Sequence, residues 1–101
     1  MSRDSTVRVR LRTVIRRHVI AHGRVQGVFF RDSVRRIARQ RSVAGWVANR
    51  WDGSVEAVFE GEPDAVEGLV RFMHEGPRGA EIERIEVFEE EPEALAGFNV
   101  R

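Results

Sequence analysis

Hydrophobic and polar positions along the chain switch between a period of two and a period near 3.6, and each switch marks an element. Over residues 14–23, alternation puts Val19 and Ala21 on a core face and His18 and His22 on the other, which predicts a strand. Phe30, Val34, Ile37 and Ala38 then recur at helical spacing, with Arg35, Arg36 and Arg39 between them. That pattern predicts an amphipathic helix ending near Arg41. Residues 43–49 read as a second strand. Asp52-Gly53 is a turn signal, and in 54–61 Val55, Ala57 and Phe59 alternate with Glu56, Val58 and Glu60, so these strands form a hairpin. Pro63 suits a first helical position. Val66, Leu69, Val70 and Met73 make a buried helical stripe, which Gly76-Pro77 stops. Residues 82–88 predict a fourth strand, the acidic run 89–93 a solvated loop, and 98–101 a short edge strand.

The order β-α-β-β-α-β predicts an α+β, ferredoxin-like sandwich, an antiparallel sheet with two helices on one face. In that topology strands 1 and 3 are neighbours, so the hairpin brings the end of strand 2 near the loop that follows strand 1. Phe29 and Phe30 are expected to anchor the first helix to the core, Trp46 to lie in the core, and Trp51 to be exposed in its turn. One domain, 14–101, follows an arginine-rich flexible tail, 1–13.

Composition narrows the classes. A chain of 101 residues with 42% hydrophobic residues builds one core. No apolar run approaches the length of a membrane span. Residues 1–12 lack the apolar segment of a secretory signal. There is no cysteine, which excludes disulfides and thiolate metal sites and fits a cytoplasmic protein. Lysine is absent too, so all 17 basic residues are arginines. They are unevenly placed: residues 1–50 hold 13 arginines against Asp4 and Asp32, and residues 51–101 hold 4 against 14 acids. Three readings follow: contact with nucleic acid, pairing of the two halves in the fold, or a site for a small anion.

Candidate chemistry concentrates in two segments. Residues 23–31, GRVQGVFFR, join a strand to a helix. Glycines let successive N–H groups converge, a helix start adds unpaired donors and a positive dipole end, and Arg31 adds a planar charged fork. The same glycines also fit an ordinary tight turn. A nucleotide P-loop requires Gly-Lys-Ser/Thr, but Val28 and Phe29 follow Gly27, so that reading fails. In the second segment Asn49 ends a strand before the hairpin turn, where its carboxamide serves the turn or holds a water. The histidines are not a metal set and read as surface residues. Ser33 reads as an ordinary helix-start residue.

These residues resemble a known family. GRVQGVFFR matches the acylphosphatase signature G-x-V-Q-G-V-x-[FY]-R, and residues 45–56, GWVANRWDGSVE, match its second signature, G-x-V-x-N-x-x-D-G-x-V-E. Gly76-Pro77, the start of the 82–88 strand and the terminal Phe98-x-Val100-Arg101 are similar but less specific. The resemblance implies a ferredoxin-like fold and hydrolysis of acyl phosphates. It implies that Arg31 binds the phosphate and Asn49 orients the water. The phosphate is cradled by the backbone of Arg24, Val25, Gln26, Gly27, Val28, Phe29 and Phe30. Neither metal nor organic cofactor is expected. The expected partners are a small acyl phosphate and inorganic phosphate, as product or inhibitor, with a monomeric protein and no membrane or nucleic acid. A non-catalytic ferredoxin-like module that binds an anion or RNA is the alternative. Departures from the family pattern are the arginine-rich tail, Arg50 where many members carry a hydroxyl residue, and an end at Arg101 where some continue with an aromatic.

Overall fold

A computed structural model describes residues 13–101. Of the expected tail, residues 1–12 lie outside the described residues. The elements follow the predicted order: β1 (Ile15–Arg24), α1 (Phe30–Gln40), β2 (Ala44–Asn49), β3 (Val55–Gly61), α2 (Pro63–Glu75), β4 (Glu81–Glu90) and β5 (Phe98–Val100).

One sheet has the strand order β4-β1-β3-β2-β5. β1 is antiparallel to both neighbours, and β3 is antiparallel to β2. The short fifth strand departs from the antiparallel expectation, because β5 pairs parallel to β2. Connectivity explains this. The chain leaves β4 where Glu90 faces Arg16, crosses that end of the sheet and turns back, so it runs against β4 and along β2. Buried Glu60 holds the crossing: its carboxylate accepts hydrogen bonds from the backbone N–H of Glu93 at 2.8 Å and of Leu95 at 3.0 Å.

β4 is longer than expected. Glu89 and Glu90, read from the sequence as solvated loop, are strand residues opposite Arg17 and Arg16. A run of glutamates has little strand propensity of its own, and its cross-strand partners supply the reason for pairing.

Alternation sends Val19, Ala21, Ala57, Phe59 and Val47 toward the helices, where Phe30, Val34, Val66, Leu69 and Met73 complete the core. Phe59 stacks on Phe98 with ring centroids 5.9 Å apart, which fixes the β5 edge. The same alternation corrects the expectation for Trp46. With Gly45 and Val47 buried, Trp46 projects from the opposite face, half-buried, beneath the guanidinium of Arg101 at 4.4 Å.

That helix-free face explains the charge asymmetry. Arg16 of β1 pairs with Glu60 at 2.6 Å and Glu90 at 2.7 Å. His18 bridges Glu56 at 2.6 Å and Glu90 at 3.0 Å, and His22 meets Glu86 at 2.7 Å. Basic β1 therefore lies between two acidic strands, and the halves of the chain pair in the fold. The layer covers Ile20 and Val58 without any helix. It also corrects the reading of His18 and His22 as plain surface residues, since both side chains are largely covered and hydrogen-bonded to glutamates.

Candidate active site

The site grows from the end of β1. Gly23 and Arg24 still belong to that strand, so Gly23 serves strand geometry rather than the loop. The pairing of β1 with β4 shifts register between His22 and Gly23, and a Cβ on Gly23 would collide with the carbonyl oxygen of Glu81. Gly27 has the opposite reason. A Cβ there would meet no atom within 4 Å, but φ is +76°, in the region that glycine reaches without strain. Val25 and Phe30 are buried and clamp the loop at both ends.

Phe29 corrects an expectation. Only Phe30 anchors the helix; Phe29 stands 83% exposed at the N-cap, with φ 58° and ψ 27°. No side chain caps α1, and the first helical turn closes through Ser33 N–H to the Phe29 carbonyl at 3.0 Å. The N–H groups ahead of Ser33 therefore lack intrahelical partners and point out of the helix start, where the dipole is positive.

Gln26 ties this loop to the hairpin. Its side-chain amide donates to the carbonyl oxygens of Arg50 at 2.8 Å and Ser54 at 2.9 Å. The hairpin is itself closed by Arg50 N–H to the Ser54 carbonyl at 2.9 Å. Asp52 accepts from the Ser54 hydroxyl at 2.6 Å and its N–H at 3.0 Å, and these two bonds hold its carboxyl below the ordinary range. Loop and hairpin are thus locked together, with Asn49 at the last position of β2.

Arg31 and Asn49 line one cavity of about 330 Å³, together with Val25, Gly27, Phe29, Phe30, Asp32, Arg35 and Val100. Arg31 donates to the backbone oxygen of Arg101 at 3.1 Å, and Asp32 is taken by Arg35. Among the described residues no Asp or Glu side chain pairs with Arg31, which lines the cavity. The remaining loop positions are placed differently. Arg24 is exposed at the end of β1, 3.5 Å from Glu81, Val28 packs against the core, and the Gln26 side chain turns to the hairpin. Sequence reasoning missed the roles of Arg35 and Val100. Arg35 was legible, since a residue one helical turn after Arg31 shares its face. Val100 was not, because only strand pairing brings β5 to this cavity. Among the described residues, no three His, Asp or Glu side chains are placed to hold a metal ion.

Residues 17–100 match the family model described as Acylphosphatase. The chain belongs to the acylphosphatase family. An acylphosphatase of Thermococcus kodakarensis is 54% identical over 86 residues, covering 85% of this chain and 94% of that protein. One from Rubrobacter xylanophilus is 59% identical over 85 residues, covering 82% and 76%. The solved structure of an acylphosphatase from Coxiella burnetii superposes with a TM-score of 0.82 at 40% identity, covering 87% of this chain and 93% of that one. The two acylphosphatase signatures thus occupy facing elements: the first builds the loop and helix start, the second builds the hairpin, and Gln26 joins them.

Proposed function

We propose that this chain hydrolyses acyl phosphates, R–CO–O–PO₃²⁻ plus water giving R–COO⁻ and H₂PO₄⁻. The observation that carries this reading is an arginine with no Asp or Glu partner among the described residues, at an uncapped helix start, lining one cavity with Asn49. Arg31 binds two phosphoryl oxygens with its fork. The N–H groups from Arg24 to Phe30 form the cradle, those nearest the helix start taking the third oxygen and following its charge into the transition state. The Asn49 carboxamide holds the attacking water. The water oxygen bonds to phosphorus as the P–O bond to the carboxylate breaks, and the water proton passes to a phosphoryl oxygen. A carboxylate leaves without protonation, so positioning and charge stabilisation suffice. Phosphate monoesters, with poorer leaving groups, are expected to be poor substrates.

Inorganic phosphate fits the same cradle and is expected to inhibit competitively. We read the protein as a monomer working without a cofactor in the cytoplasm, the last of which the cysteine-free sequence supports. Nucleic-acid binding is disfavoured by the pairing of the β1 arginines Arg16 and Arg17 with glutamates.

The test is continuous hydrolysis of an acyl phosphate in EDTA. Arg31→Ala is expected to lower kcat/KM at least about 10³-fold, with poor rescue by lysine, which lacks the fork. Asn49→Ala is expected to lower kcat about 10²-fold or more. Full activity in either alanine variant overturns the assignment.

A further inference from the structure

The phosphate end of the cavity is accounted for by Arg31, Asn49 and the loop N–H groups, but its apolar lining is not. Phe29 combines two unfavourable features. The residue is 83% exposed, and its backbone sits at a positive φ of 58° that a residue with a Cβ rarely adopts. Packing does not demand this side chain, and glycine would suit the backbone better. Phe29 nevertheless lines the cavity that holds Arg31. Val100, 39% exposed, lines it from β5. The other charged lining residues, Asp32 and Arg35, are paired with each other and leave no free charge for a second anionic group.

An acyl phosphate seated by its phosphoryl group leaves only its acyl group to meet this wall. We propose that Phe29, with Val100, selects acyl phosphates whose acyl group is apolar, aromatic ones above all. The inference rests on the hydrolytic reading above and names the substrate class within it. Ring-to-ring contact and loss of exposed apolar surface favour an aromatic acyl group over a small one. The effect falls on binding of the acyl end, hence mainly on KM.

The experiment compares kcat/KM for benzoyl phosphate and acetyl phosphate in the full chain and in Phe29→Gly, Phe29→Leu and Val100→Ala. Dividing the benzoyl-to-acetyl ratio of each variant by that of the wild type cancels the intrinsic reactivity of the two substrates. Phe29→Gly is expected to lower that ratio about tenfold, a typical discrimination by apolar pocket contacts, with the change in KM for benzoyl phosphate. Phe29→Leu and Val100→Ala are expected to fall between glycine and wild type. A purely structural Phe29 would leave the ratio unmoved. Turnover of both substrates with an unchanged ratio in the Phe29 variants overturns this inference alone. No turnover of either substrate by the wild type overturns the hydrolytic reading and this inference with it. Should Phe29→Gly not fold, the leucine and Val100 variants decide by the same ratio.

Discussion

Gln26 belongs to the cradle loop by its backbone and to the hairpin by its side chain. Its amide satisfies the carbonyl oxygens of Arg50 and Ser54, so it sets the distance between the loop and Asn49. Gln26→Ala is expected to cost about 1–2 kcal/mol of stability through the two lost bonds. Misplacing the water-holding group is also expected to lower kcat about tenfold or more, since small errors of position are costly in catalysis. Gln26→Glu is expected to be worse than alanine, because a carboxylate would face two acceptors. Denaturant titration and steady-state kinetics of the two variants check this; unchanged values in both contradict the role. The signature specifies glutamine at this position, but not whether backbone or side chain is used.

At the scale of elements, two glycines of one motif have different physical reasons and different expected sensitivities. Gly27→Ala places a Cβ in open space at positive φ, a strain of about 1–2 kcal/mol. Gly23→Ala drives a Cβ into the Glu81 carbonyl, and the paired strands β1 and β4 must separate to relieve it. Its expected cost is larger, above about 3 kcal/mol, as for other severe steric insults to a packed region. Thermal unfolding of both variants tests the order. If Gly27→Ala is the more damaging, the division of labour is wrong. The helix start shows a related economy. With no side-chain cap on α1, its first donors stay available, although a capped helix would be more stable.

At the scale of the whole molecule, stability depends on the charge layer across β1. Arg16 and Glu60 are both buried, and Glu60 also fastens the crossing that delivers β5. Glu60→Ala leaves a buried guanidinium without a principal partner and frees the crossing, with an expected loss of about 3–5 kcal/mol. The layer also makes stability pH-dependent. Burial opposes ionisation of Glu60, yet the Glu93 N–H, the Arg16 guanidinium and the Leu95 N–H together hold its carboxyl below its ordinary 4.5. A hydrogen bond from Arg16 lowers Glu90, and one from His22 lowers Glu86. A carboxyl depressed in the folded state adds stability that is fully present above its unfolded value and is lost as pH falls through the folded value. Unfolding free energy is therefore expected to decline as pH drops below the ordinary 4.5, and Glu60→Gln should make the decline shallower. Urea titrations across the acid range measure both, and identical slopes in variant and wild type would refute the contribution of Glu60.

The sequence by itself determined what is local: the seven elements, their order, and the two signatures that mark the family. Periodicity and turn chemistry act over a few residues, so they survive without knowledge of the fold. The tertiary structure decided what depends on strand order and register. It put Trp46 on the helix-free face, drew Glu89 and Glu90 into β4 against Arg17 and Arg16, and placed β1 between its acidic partners. It also brought Val100 to the cavity of Arg31 and left Phe29 facing out of the core, whereas the approach of Asn49 to that loop already followed from the predicted strand order. These are meetings between residues distant in the chain. Alternation along a strand names two faces, but only pairing across the sheet says what each face meets.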